Sequence, residues 1–312
     1  MTHSQPCVQA SYALCRRKAR QSGSSFYAAF LLLPRQKRRA MDALYAFTRH
    51  TDDLADNAEP LEVRREALAQ WRGAVEAVLE KIANTDRSVA PLRGVFRAGG
   101  TVPGETLLPA LADTVRRFAI PREHLLAVID GVAMDLSRVR YETFDDLTAY
   151  CERVASAVGL ACTHIWGVRG EAAFEPARKC GIAFQVTNIL RDLREDIEQG
   201  RVYLPLEDLR RCEYSVEDLA AGVVDERFER LMELEIDRAR RFYHEGAELF
   251  DWLEPDGRRV FGMMTTVYHR LLEQIARRPN EVFRRRVGLS RWRKLGIAAR
   301  WALLPARRSA LP

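Results

Sequence analysis

Gln185-Val186-Thr187-Asn188-Ile189-Leu190-Arg191-Asp192-Leu193-Arg194-Glu195-Asp196 is the stretch whose reading decides the fold. Gln185, Asn188, Asp192 and Asp196 recur every three or four positions, so on a helix they form one stripe of amides and carboxylates. The other faces of that helix carry Ile182, Phe184, Val186, Ile189 and Leu190. A polar stripe on so apolar a helix must be satisfied by something other than water.

A second stripe lies 140 residues earlier, in Asp52-Asp53-Leu54-Ala55-Asp56. Asp52 and Asp56 are four apart and stack on one helix face, where like charges repel unless a positive group sits between them. Taken alone, such a pair reads as a solvated acidic face. Two of them, each in a helical context, read differently. Oxygen-only donors select hard cations, Mg²⁺ or Mn²⁺. Mg²⁺ is usually held by one or two carboxylates together with substrate phosphate oxygens, and two such helices facing each other could clamp a diphosphate. Arg49 precedes the first stripe, while Arg191, Arg201 and Tyr203 flank the second. Each arginine alone reads as a surface ion pair, but beside both stripes they suit bidentate binding of diphosphate oxygens.

The rest of the chain reads as helices joined by short breaks. Pro34 ends an apolar run and opens a helix carrying Met41, Leu44, Phe47 and Leu54. Helices are expected over 106–118, 123–136 and 257–276, and one or two over 216–250. One helix is expected to run from Phe144 through Tyr150 to about Trp166, and another follows Pro176 as far as Gly200. The Gly- and Pro-rich stretch 90–105 reads as a loop. With no useful strand pattern and no repeat, the class is all-α, a helical bundle expected to be one domain over 1–312 with a central cavity.

Charge separates the body from its end. From Arg277 onward eleven Lys/Arg face one acid, a balance of +10 against +6 for the whole chain, which leaves −4 elsewhere. The basic character therefore belongs to 284–312, where Arg285, Arg291, Arg293, Lys294 and Arg300 mix with Val287, Leu289, Trp292, Leu295, Ile297 and Trp301. This pattern suits a basic amphipathic helix on an anionic membrane surface, with a solvated tail as the plain alternative. No nucleic-acid-binding module accompanies it, so no nucleic-acid partner is expected. The six cysteines are scattered without a CxxC pair, and no apolar h-region opens the chain. A reduced, cytoplasmic protein is expected, peripheral at most on the inner face of the membrane.

Ser24-Ser25-Phe26-Tyr27, the DDLAD at 52–56, Tyr150-Cys151-Glu152-Arg153-Val154-Ala155-Ser156-Ala157-Val158-Gly159 and the 185–196 stretch resemble, in order and spacing, the squalene/phytoene synthase family. The resemblance runs from about Ser22 to Leu289. It implies an isoprenoid-synthase fold, Mg²⁺ dependence and head-to-head coupling of two prenyl diphosphates. It places Asp52, Asp56, Asn188, Asp192 and Asp196 at the metal, with Gln185 alongside. It puts Arg49, Arg191, Arg201 and Tyr203 on diphosphate, and Phe26, Tyr45, Asp135, Tyr150, Ala155 and Gly159 around the cavity. Tyr268 is a looser match, and Arg286 is left out of the set.

Within that family, 23–27, Met134-Asp135-Leu136, 140–144 and 154–160 look most like the bacterial presqualene diphosphate synthases of hopanoid pathways. That resemblance implies two farnesyl diphosphates as substrates, Tyr150 at the proton-transfer step, no requirement for NADPH, and downstream squalene-pathway enzymes as partners. The alternatives are phytoene or dehydrosqualene synthesis, a complete NADPH-dependent squalene synthase, and a chain-elongating synthase suggested by the literal DDxxD. An alternative of another class is a non-catalytic assembly factor, against which all four metal aspartates argue.

Overall fold

The computed structural model describes residues 4–21, 25–84, 104–137 and 140–312. Most of the stretch 90–105 lies outside them, as do Ser22 to Ser24 and the side chain of Phe26. Among the described residues there is no β-strand, only two isolated bridges, and the fold is all-α.

The helices follow in this order: α1 (Ser4–Gln21), α2 (Ser25–Phe30), α3 (Arg35–Asp56), α4 (Leu61–Asn84), α5 (Leu108–Phe118) and α6 (Arg122–Asp135). Then come α7 (Phe144–Cys151), α8 (Ala157–Trp166), α9 (Phe174–Glu198), α10 (Leu206–Arg211), α11 (Val216–Ala220), α12 (Glu226–Gly246), α13 (Leu249–Trp252), α14 (Pro255–Arg277) and α15 (Arg291–Leu303). Local chemistry sets many of the ends. Thr143 and Asp146 form a reciprocal capping box at the start of α7, and Ser215 and Asp218 repeat it at α11. Pro34 begins α3 without costing a helical N–H, and Gly200 stops the backbone after α9 at φ +75°.

Helices α3, α6, α8, α9 and α14 surround the centre, and α12 backs α9. Three expectations need correction. The stretch 216–250 divides into α11, α12 and α13, because Asp225 caps a new helix by accepting from the Arg227 and Phe228 N–H groups. Pro176 lies inside the first turn of α9, where its missing N–H is harmless, and the helix begins at Phe174. The C-terminal helix, capped by Ser290, covers only Arg291–Leu303 of the basic stretch 284–312.

The largest local departure lies between α7 and α8. The chain stays helical but widens into one π-helical turn over Glu152–Ser156. Such turns are uncommon and often sit at functional sites. Both neighbours make room for this one with glycines. A Cβ at Gly131 on α6 would lie 2.6 Å from Val154 Cγ1, and one at Gly181 on α9 would lie 2.4 Å from the Ser156 Cα. Ser156 Oγ then donates to the Arg178 carbonyl at 2.7 Å, tying the turn to α9.

Candidate active site

Helices α3 and α9 carry the two acidic stripes, and both run along a central cavity of about 380 Å³. On α3 its wall is Met41, Leu44, Tyr45, Thr48, Arg49 and Asp52; on α9 it is Ala177, Cys180, Gly181, Phe184, Gln185 and Asn188. Each helix therefore passes from apolar to polar as it climbs eleven residues, roughly 16 Å at the helical rise. The floor is closed by Phe30, Trp166 and Phe261, each almost fully buried. The carboxylates gather at the opposite end.

Tyr45, Arg49, Asp52, Asp135, Tyr150, Ala155, Gly159, Gln185 and Asn188 all line this one cavity. Asp135, the last residue of α6, is its polar centre. It accepts from Tyr203 at 2.8 Å and from Tyr150 at 3.1 Å, and the two phenol oxygens are 3.4 Å apart. The two rings stack with centroids 5.2 Å apart, and Tyr141 packs against both. The π turn follows the end of α7 and presents Val154 and Ala155 to the cavity, and α8 continues the wall with Val158 and Gly159.

Negative charge is crowded here. Burial, reinforced by Asp56, Asp135 and Asp53, raises Asp52 to about 7. Burial, with Asp192, Asp135 and Glu195, raises Asp196 to about 7. Asp135 itself is raised to about 6, mainly by burial and against the lowering effect of its two tyrosines and Arg201. Because Asp135 acts on both Asp52 and Asp196, the two stripes share one electrostatic field. Tyr150 is pushed well above the usual phenol range, first by burial and then by the Asp135 charge.

Arginines partly balance the rim. Arg201 donates through Nη2 to Asp56 at 3.1 Å, while its backbone N–H donates to the Asp196 carbonyl at 2.8 Å, so one residue joins the ends of both stripes. Arg191 Nε donates to Asp192 at 2.8 Å. Arg286 also reaches Asp192, with Nε 3.0 Å from Oδ1, across 94 residues of sequence. Sequence reasoning left Arg286 aside, and no periodicity could have found it. Arg49 pairs with Asp53 at 2.8 Å, and Lys18 holds the same carboxylate, so the middle aspartate of 52–56 faces its own cations. Tyr268 stands beside Arg191 and Asn188 and stacks on Phe184 at 4.7 Å. Phe26 belongs to α2, but its side chain lies outside the described residues.

The donor set suits a hard cation. The buried Asn188 Oδ1 has no hydrogen-bond partner, and burial, with neighbouring carboxylates second, pushes Asp52 and Asp196 toward protonation. Yet among the described residues no three His, Cys, Asp or Glu side chains converge to hold a metal alone. That combination fits Mg²⁺, whose shell is commonly completed by substrate phosphate and water rather than by a protein cage.

An all-α bundle around an apolar cavity with an acidic mouth is the isoprenoid-synthase type of fold. A crystal structure of a dehydrosqualene synthase in complex with ligand matches it with a TM-score of 0.80 at 27% identity, covering 94% of this chain and 96% of that one. A squalene synthase from Alicyclobacillus acidocaldarius matches with a TM-score of 0.75 at 25% identity, covering 88% and 95%. The squalene/phytoene synthase family model matches residues 19–293. The 15-cis-phytoene synthase of Synechocystis sp. is 36% identical over 304 residues, 93% of this chain and 84% of the relative. The chain belongs to the squalene/phytoene synthase family and is an enzyme of the prenyltransferase class.

Proposed function

We propose that this enzyme joins two farnesyl diphosphates head to head and stops at presqualene diphosphate. The observation that carries the coupling reaction is the meeting of both carboxylate stripes, through Arg201 and Asp135, over one apolar cavity. The farnesyl reading rests on the closed floor of Phe30, Trp166 and Phe261, together with the sequence features of 23–27 and 154–160. Asp52, Asp56, Asn188, Asp192 and Asp196 would hold Mg²⁺, with Mn²⁺ as a substitute. When bound, the metal supplies Lewis-acid assistance to the departing diphosphate.

The chain's own residues do the remainder. Arg49, Arg191, Arg201 and Arg286 bind and orient diphosphate oxygens at the mouth. The apolar walls exclude water from the allylic cation formed as the C–O bond breaks. Tyr45 and Phe184 offer ring faces that favour a cation. C1 of this cation is attacked by the C2=C3 double bond of the second substrate, and loss of a proton closes the cyclopropane ring. Tyr150 stays neutral at any working pH, so it cannot act as a simple base. It relays the proton instead: its oxygen accepts from the substrate as its own proton passes to Asp135, 3.1 Å away. No reductive half-reaction is included, so NADPH is not needed.

A second reading is phytoene synthesis from geranylgeranyl diphosphate, favoured by the relatives at 33–36% identity that are named phytoene synthases. A product assay separates the two. Purified enzyme with Mg²⁺ is given farnesyl or geranylgeranyl diphosphate, with and without NADPH, and products are dephosphorylated and identified by mass spectrometry. Presqualene alcohol from the farnesyl substrate, unchanged by NADPH, is the expected result. Product from the geranylgeranyl substrate alone would move the enzyme to phytoene synthesis. Squalene appearing only with NADPH would make it a complete squalene synthase, and no product from either would revive the assembly-factor reading.

The proposal includes peripheral contact with a membrane. Among the described residues no helix is long and apolar enough to cross one. In α15, Ile297 and Trp301 are buried against the body, while Trp292, Leu295 and Leu303, on another face, are exposed. Arg291, Arg293 and Lys294 accompany that stripe, the pattern of an interfacial helix. Flotation with anionic vesicles should weaken in Trp292→Ala/Leu295→Ala; unchanged flotation would remove membrane contact from the proposal.

A further inference from the structure

A second cavity, about 740 Å³, lies between α1 and the first turns of α3. It is lined by six arginines: Arg16, Arg17 and Arg20 from α1, and Arg35, Arg38 and Arg39 from α3. Asp42 is the only acid among its lining residues. Some arginines elsewhere find carboxylates: Arg240 holds Glu273 and Asp237, and Arg227 holds Asp218 and Asp225. Among the described residues, Arg16, Arg17, Arg20, Arg35 and Arg38 form no ion pair. Arg39 is fixed by stacking over the Tyr12 ring at 4.1 Å and donating to Gln9 Oε1 at 2.7 Å.

So many guanidiniums around one groove repel each other unless an anion enters. Asp42 adds a second observation. It is only 2% exposed, and its Oδ1 has no hydrogen-bond partner. Burial holds its carboxyl up at about 6 despite the nearby Arg16, Arg38 and Arg39. A phosphate group also titrates near neutrality, so the carboxyl and a phosphate can share one proton, which satisfies the orphaned oxygen. Planar guanidinium forks match phosphate oxygens better than a point charge would.

The groove is separate from the catalytic mouth. Arg38 and Asp52 are fourteen residues apart on the same helix, roughly 21 Å along its axis. Asp42 faces α1, while Met41, Leu44 and Tyr45 face the cavity.

We propose that this arginine groove is a second anion site that takes a phosphate-bearing ligand, either a free diphosphate or the headgroup of an anionic phospholipid. It does not depend on which prenyl substrate the enzyme uses. The test uses the full chain in EDTA, so that the mouth carboxylates repel anions. Inorganic diphosphate is titrated by calorimetry, and phosphatidylcholine vesicles are compared in sedimentation with mixed phosphatidylcholine–phosphatidylglycerol vesicles. Arg16→Ala/Arg20→Ala/Arg38→Ala should weaken binding at least about tenfold, since each charge-assisted contact contributes that order. Arg240→Ala, an exposed arginine outside both the groove and the mouth, should not. Loss of diphosphate binding in the triple variant assigns a free phosphate; loss of phosphatidylglycerol-dependent sedimentation alone assigns the lipid headgroup. The corresponding triple lysine variant keeps charge and solubility but not the forks, and decides the matter if the alanine variant fails to fold: weaker binding supports the site, unchanged binding overturns it. No binding of either probe to the native chain, or binding insensitive to the triple variant, overturns it as well.

Discussion

Tyr150 illustrates how burial alters the job a side chain can do. Taken out of water and facing the Asp135 carboxylate, its phenol has every reason to keep its proton. Tyr203 shares the same acceptor at 2.8 Å, so removing one hydroxyl leaves Asp135 partnered. Tyr150→Phe should therefore fold normally, by denaturant titration, yet couple prenyl diphosphates about 100-fold more slowly, the usual scale of a lost proton-transfer group. A near-native rate would assign proton removal to the departing diphosphate alone. Asp135 makes a different prediction. Raised to about 6 in the folded state against about 4 unfolded, it binds more protons folded than unfolded across that window. Stability is thus lost as pH rises from about 4 to 6, and the full cost remains above it. Compared with the native chain, Asp135→Asn should gain on the order of 2 kcal/mol across that window, less the cost of one weakened tyrosine hydrogen bond. A stability difference that is flat with pH would mean that Asp135 ionises normally in the fold.

At the scale of elements, the π turn at Glu152–Ser156 carries the chain from the Tyr150 end of α7 into the cavity wall that α8 continues. It follows Tyr150, contains Ala155 and precedes Gly159, and it fits only because Gly131 and Gly181 carry no Cβ. Gly181→Ala would press a methyl group onto the Ser156 backbone and should cost about 1–3 kcal/mol or more, read by chemical denaturation. A neutral effect would show that the turn can slide. This turn could not be read from the sequence. Its residues carry the same apolar spacing as the flanking helix, and nothing local marks the extra residue. The 185–196 stripe was legible because four polar residues on an apolar helix contradict simple burial. Arg286 was not, because its partner Asp192 is 94 residues distant. The groove on α1 and α3 was equally hidden, since it exists only where two helices meet.

The whole molecule is polarised from floor to mouth. Trp301, fully buried, lies against Gly262 and Phe250 and donates to Thr266, and Arg259 caps the end of α15 by binding the Trp301 and Ala302 carbonyls. The basic stretch 284–312 is therefore partly core. Deleting it would unpack the body as well as remove membrane contact, which is why the flotation test substitutes exposed residues instead. The sequence pattern of basic and apolar residues located this helix but could not divide its apolar residues between the two faces, because that division is made by α14. Closed below and lined with ions above, the cavity also has a kinetic consequence. Each turnover of the proposed coupling leaves behind a product whose hydrocarbon part is larger than that of either substrate, and its way out passes the charged rim. Departure, rather than bond making, should limit steady turnover. Rapid-quench measurements should show a first round faster than those that follow, with added lipid vesicles hastening the later rounds and leaving the first untouched; equal rates throughout would mean that the product leaves freely.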